Sequence, residues 1–139
     1  MTATVDSVRA PSALPRVLIV EDDGLVGAIH ARLLRSVAGN VVVVPDAARA
    51  LDLLGGAAFD VVISDILMPG MDGSELLRTI RKRDRDLPVI FLTGAPSLES
   101  AAAAVEQRAY RYLTKPVPLD VLRDAVVEAG RLRPRHPAS

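Results

Sequence analysis

Five short apolar runs, each followed by a segment of helical periodicity, constrain this chain more than anything else in it. The runs are Val17–Val20, Val41–Val44, roughly Phe59–Ser64, Val89–Leu92 and Tyr110–Leu113. They are solid rather than alternating, which marks strands covered on both faces, and such strands belong to a parallel sheet. Helices are predicted over 24–38, from Asp46 to Gly55-Gly56, from Gly73 into the charged stretch Arg81–Asp86, from Ser97 to Gln107, and from Pro118 onward. Leu25, Ile29 and Leu33, with Val26 and Val37, repeat at helical spacing on the first helix, and Ala47, Ala50, Leu51 and Leu54 share one face of the second. The third carries Leu76, Leu77 and Ile80; the fourth turns Leu98, Ala101, Ala102 and Val105 inward; the fifth carries Leu119, Leu122 and Val126. Punctuation agrees: Asp46 suits a helix N-cap, Pro118 a first helical turn, and Pro88 the strand position where a missing N–H does least harm. Right-handed crossovers then give a doubly wound α/β sandwich of three layers.

At 139 residues the chain is sized for one domain with a real core. Residues 1–15 read as a flexible leader, 16–130 as the domain, and 131–139 as a frayed Arg/Pro-rich tail. Lysine plus arginine and aspartate plus glutamate both number 17, so charge favours neither nucleic acid nor an anionic membrane as the main partner. The absence of cysteine excludes disulfides, thiolate chemistry and Cys-zinc sites. No apolar run approaches the roughly 20 residues of a membrane span, and the N-terminus lacks a signal-peptide layout. A cytoplasmic location is expected.

In a parallel sheet of this kind the working crevice lies outside the carboxyl ends of the strands. Those ends carry Glu21, Asp22 and Asp23 after the first strand, Asp65 after the third, Thr93 after the fourth and Lys115 after the fifth. Asp65 is followed at once by the turn Met68-Pro69-Gly70-Met71-Asp72-Gly73. Two carboxylates about 4 Å apart repel by roughly 4 kcal/mol at an effective dielectric of 20. A hard divalent cation with oxygen ligands and retained waters relieves that, and Mg²⁺ fits best. An aspartate at a strand–loop junction is by itself as often a turn or cap residue. Asp23 is expected to cap the first helix and Asp72 to serve the turn; His30 reads as a surface or packing residue.

These residues resemble the receiver domain of two-component response regulators over 16–130. The resemblance rests on Glu21-Asp22, on Asp65 with its Pro/Gly turn, on Thr93-Gly94, and on Tyr112-Leu113-Thr114-Lys115-Pro116. It implies a flavodoxin-like sheet of order 2-1-3-4-5 and a cis Lys115-Pro116 bond. It implies that Asp65 accepts a phosphoryl group from a histidine kinase, a phosphotransfer protein or a small donor such as acetyl phosphate. Asp22 and Asp65 would ligate Mg²⁺ directly, Glu21 through water, and Leu67 through its backbone carbonyl. Lys115 would pair with Asp65, Thr93 would bond a phosphoryl oxygen, and Tyr112 would turn inward to remodel the face of helix four, strand five and helix five. The partner downstream would be an effector protein or an output domain, with the chain a monomer or a weak phosphorylation-dependent dimer.

Three departures qualify the resemblance. Arg108 stands where most relatives carry glycine, so either the fourth helix ends differently or this arginine is strained. Tyr110-Arg111 replaces the acidic residues of the subclass that dimerises through that face. Leu67 and Ala95 flank the site with apolar atoms and offer nothing to orient a hydrolytic water, so slow autodephosphorylation is expected. Leu67 also argues against an aspartyl-nucleophile phosphohydrolase, which wants a second aspartate two residues after the first. Glu21-Asp22-Asp23 argues against a flavin module, whose first loop must cradle phosphate. The complete residue set argues against a degenerate docking receiver.

Overall fold

The computed structural model describes residues 14–67, 70 and 72–132. Five strands, β1 (Arg16–Val20), β2 (Asn40–Val44), β3 (Val61–Asp65), β4 (Val89–Thr93) and β5 (Arg111–Thr114), form one parallel sheet of order β2-β1-β3-β4-β5. Between and after them run α1 (Gly24–Leu34), α2 (Ala47–Gly56), α3 (Gly73–Arg83), α4 (Leu98–Glu106) and α5 (Leu119–Leu132). Helices on both faces make the three-layer sandwich that the solid apolar runs require. The three central strands are buried almost throughout, whereas edge strand β2 leaves Val43 partly exposed.

Strand alternation splits the core in two. Leu18, Val20, Val62, Val89 and Phe91 point to the face covered by α2, α3 and α4; Val17, Ile19, Val61, Ile63, Ile90 and Leu92 point to the face covered by α1 and α5. Each fully buried aliphatic or aromatic side chain contributes about 1.5–3 kcal/mol relative to exposure. Phe91 and Leu122, both fully buried, anchor the two halves.

Several sequence expectations fail in instructive ways. The first helix stops at Leu34 rather than 38, and its buried residues are Gly27, Ala31 and Leu34; Leu25 and Ile29 face solvent. The reason is close approach: a Cβ on Gly27 would lie 2.8 Å from a Val43 methyl, so the helix turns its smallest side toward the sheet. On α4 the expected inward stripe is also turned out. Leu98 and Val105 are 91% and 78% exposed, and Ala104 alone is buried. The fifth helix runs to Leu132, two residues into the expected tail. Pro15, assigned to the leader, is buried beneath Gly130, where an added Cβ would meet its ring at 3.0 Å. The rest of that leader, residues 1–13, and the tail from 133 with His136 lie outside the described residues.

Candidate functional site

The parallel register brings four strand ends to one rim. Asp65 closes β3 opposite Leu92, and Thr93 closes β4 opposite Thr114. Glu21 follows β1 and is drawn over the sheet by its N–H bond to the Val44 carbonyl at 3.0 Å. Lys115 follows β5, held by its N–H bond to the Thr93 carbonyl at 2.8 Å and preceding the cis Lys115-Pro116 bond. The result is a convergent cluster. The Lys115 ammonium lies 2.6 Å from Asp65 Oδ1 and 3.4 Å from Glu21 Oε1. Glu21, Asp65 and Thr93 are buried, while Asp22 is exposed at the mouth.

One ligand oxygen from each of Glu21, Asp22 and Asp65 falls within 4.8 Å of the others. Lys115 offsets a single negative charge among three. The strain shows in protonation: burial first, then the contact with Asp65, pushes the Glu21 carboxyl up to about 7 from its ordinary 4.5. Burial opposes the Lys115 charge, yet the bond to Asp65 and the charges of both carboxylates hold its pKa above the usual lysine value. A hard-oxygen donor set with surplus negative charge, two buried members and one open to water fits Mg²⁺.

Beside Asp65 a cavity of about 170 Å³ is lined by Asp65, Leu67, Thr93, Gly94, Ala95 and Lys115. Thr93 Oγ1 accepts the Ala95 N–H at 3.0 Å. Leu67 is exposed at the cavity edge. Met68, Pro69 and Met71 of the following turn lie outside the described residues. Asp23 caps α1 by accepting the N–H groups of Leu25 and Val26, and Asp72 caps α3 through the N–H of Glu75. His30 is half-buried beside Lys115 and Pro116, and among the described residues its Nδ1 has no hydrogen-bond partner. Burial lowers its pKa, and the Lys115 charge adds to the effect.

Tyr112 sits farther out. Its ring packs against the α2/α3/α4 half of the core, and its hydroxyl lies 2.6 Å from Ser100 Oγ on α4. Sequence reasoning brought Tyr112 forward but not Ser100, whose only signal was its place three residues after the Ser97 cap. It also passed over Gly73 as a site residue. A Cβ there would come within 2.6 Å of the Asp65 carbonyl oxygen, so glycine lets the start of α3 close under the aspartate.

Comparison with known proteins places this architecture. Residues 17–127 match the family model described as the response regulator receiver domain. The chain is 41% identical over 122 residues to the C4-dicarboxylate transport transcriptional regulatory protein DctD of Pseudomonas aeruginosa, covering 87% of this chain and 26% of the relative. It is 38% identical over 104 residues to the DNA-binding transcriptional regulator NtrC of Escherichia coli, covering 75% of this chain and 22% of that one. The chain thus spans about a quarter of the length of these curated relatives. Among solved structures, the signal receiver domain of an HD domain-containing protein from Pseudomonas fluorescens superposes with a TM-score of 0.79 at 34% identity, covering 84% of this chain and 94% of that one. A CheY-like receiver domain protein from Methanospirillum hungatei gives 0.79 at 28% identity, covering 86% and 96%.

Proposed function

The chain belongs to the response regulator receiver domain family of two-component systems, and from that premise we propose that Asp65 is its phosphoacceptor. The reading is carried by one observation: a buried aspartate paired at 2.6 Å with a lysine inside a three-carboxylate cluster. One Asp65 oxygen attacks phosphorus, an O–P bond forms, and the N–P bond of a phosphohistidine breaks as the imidazole leaves with its electron pair and takes up a proton. With a small donor such as acetyl phosphate, an acyl O–P bond breaks instead.

Phosphoryl transfer passes through a loose transition state, so alignment and charge neutralisation do most of the work. Lys115 holds Asp65 in place and then meets a phosphoryl oxygen. The Thr93 hydroxyl, at the far wall of the cavity, bonds another. Asp22, Asp65 and the Leu67 carbonyl would hold Mg²⁺, with Glu21 acting through water, and the ion when bound would supply neutralisation of phosphoryl charge. The apolar Leu67 and Ala95 leave attacking water unoriented, so the phosphoform decays slowly. A new charge of about −1.5 to −2 draws Thr93 inward and reorganises the face of α4, β5 and α5 through Tyr112.

The donor partner is a histidine kinase or phosphotransfer protein. The outward Leu25 and Ile29 of α1, with Leu119 at the start of α5, supply exposed apolar contact area for it. The downstream partner is an effector or output domain. Incubation with Mg²⁺ and acetyl phosphate should add one phosphoryl group by intact mass to the wild type and none to Asp65→Ala. Equal labelling of both would overturn the assignment, as would turnover of a phosphomonoester.

A further inference from the structure

The first turn of α4 and the hydroxyl of Tyr112 close a small ring of hydrogen bonds. Ser97 is the N-cap, and its Oγ accepts the Ser100 N–H at 3.0 Å. The Ser100 hydroxyl reaches the Ser97 carbonyl at 3.2 Å and Tyr112 OH at 2.6 Å. The Ser97 N–H donates to Tyr112 OH over a longer 3.4 Å. All contacts are kept when Tyr112 donates to Ser100 and Ser100 donates to the Ser97 carbonyl. Tyr112 is thereby tied to α4, not merely packed beside it.

The ring is continuous with the phosphoryl site. Thr93 Oγ1 accepts the Ala95 N–H, and two residues on, Ser97 supplies both a donor and an acceptor to the ring. If Thr93 turns toward a phosphoryl oxygen it loses the Ala95 bond, and the segment Ala95-Pro96-Ser97 loses a constraint at its start. That segment carries the backbone groups holding Tyr112.

We propose that Ser97 and Ser100 form a latch on Tyr112, with Ser100 a positioning residue that sets how readily the α4 face reorganises. The inference rests on the phosphoacceptor reading above and adds to it a regulator outside the charged cluster. Any move of Tyr112 from this half-buried place parts it from Ser100, so the bond weights the arrangement seen here over one in which the ring has shifted. A neutral hydrogen bond shifts a two-state population several-fold. Whatever biases the state a ligand prefers tightens that ligand by a matching factor.

The chain contains two tyrosines and no tryptophan, so Tyr110→Phe leaves Tyr112 as its sole tyrosine reporter. In that background, the full chain with Ser100, with Ser100→Ala and with Ser100→Thr would be compared by two readouts. One is the NMR position of the Tyr112 ring in ligand-free protein. The other is affinity for beryllofluoride, a phosphoryl mimic, with Mg²⁺ by tyrosine fluorescence. Ser100→Ala should move the ring resonances toward their beryllofluoride-saturated position and tighten binding about fivefold; Ser100→Thr, which keeps the hydroxyl, should restore both. Unmoved resonances in Ser100→Ala, or alanine and threonine variants behaving alike, would overturn the latch. If the wild type takes no beryllofluoride, the phosphoacceptor reading fails separately, and the latch is then decided by whether the ring resonances of Ser100→Ala depart from wild type while those of Ser100→Thr do not.

Discussion

Helices α4 and α5 lie on opposite faces of one sheet and are held by opposite means. The fifth helix buries Leu122, Ala125, Val126, Ala129 and Gly130. The fourth buries Ala104 alone and is fastened at its two ends by polar contacts. Its N-terminus carries the Ser97–Ser100–Tyr112 ring. Its C-terminus is clamped by Arg81, which donates through Nε to the Gln107 carbonyl at 2.9 Å and through Nη2 to the Arg108 carbonyl at 3.0 Å. Through Nη1 the same guanidinium holds the carbonyls of Leu87 at 2.8 Å and Asp84 at 3.2 Å. Apolar burial fixes a helix in one place because any shift opens a void. Polar pins fix it only while their partners stay, and hydrogen bonds exchange at little net loss near water. The second kind of attachment is the one that the reorganisation of α4 proposed above would need.

The sharpest way to break this contrast is to cut into both helices equally. Leu122→Ala should destabilise the protein by about 2–5 kcal/mol in urea unfolding. Val105→Ala and Leu98→Ala, which remove comparable apolar bulk from α4, should stay within about 0.5 kcal/mol of wild type. A large loss at Val105 would mean that α4 is held by apolar burial after all.

The charged site, on the rim that links the two helices, titrates in a direction that can be worked out. The folded-state pKa of Glu21 is raised to about 7, so below pH 4.5 its burial is harmless in both states. Between 4.5 and 7 the unfolded chain gives up the proton and the fold does not, and stability drains as pH rises. The loss should be at most about 3 kcal/mol, and about 2 once screening by solvent is allowed for. Mg²⁺ should take the place of the proton. Its stabilising effect is therefore expected to be slight at pH 5 and to reach its maximum above pH 7, read as the Mg²⁺-induced change in Tm; Glu21→Gln should flatten the profile. A metal effect that is already full at pH 5 would show that Glu21 lies outside the binding set.

Arg81→Ala tests the clamp. Losing charge-assisted bonds to four carbonyls should destabilise by about 2 kcal/mol, and Arg81→Lys should recover little, because an ammonium lacks the planar fork. Hydrogen exchange should rise at the C-terminal end of α4 more than along α5.

Legibility followed the same division. The convergence of Glu21, Asp22, Asp65, Thr93 and Lys115 was readable because a parallel strand brings its C-terminal residue to a common rim whatever packs on its faces; the sheet order came from the family resemblance alone. Which way α1 and α4 turn was not readable. Periodicity marked the Leu25/Ile29 stripe and pointed Leu98 and Val105 inward, but it reports that a stripe exists, not which stripe the sheet receives. Small residues take the sheet-facing place in both cases, Gly27 where a Cβ would meet Val43 and the buried Ala104, and the bulkier stripes were left outside. The Ser100 bond and the Arg81 clamp were invisible because they join residues 12 and 26 positions apart whose individual types are ordinary on a helix surface.

Arg108 is the smallest effect and the most diagnostic. Its φ of 59° puts a non-glycine residue in the left-handed region just past α4, a conformation that costs an L-residue about 1–2 kcal/mol. Its N–H reaches the Val105 carbonyl at 3.0 Å, and the Ala109 N–H reaches that of Ala104 at 2.8 Å, so the turn closes the helix end as a glycine would. Arg108→Gly removes the steric penalty but loosens the unfolded chain, which takes back about 0.4–1 kcal/mol. The net should be a gain of roughly 0.5–1 kcal/mol, seen as a higher urea midpoint with an unchanged slope. Arg81 bonds the backbone carbonyl of residue 108, not its side chain, so the clamp survives the exchange and the two effects should add in Arg108→Gly/Arg81→Ala. Strong non-additivity would mean that the arginine side chain, and not the left-handed turn alone, takes part in fastening the end of α4.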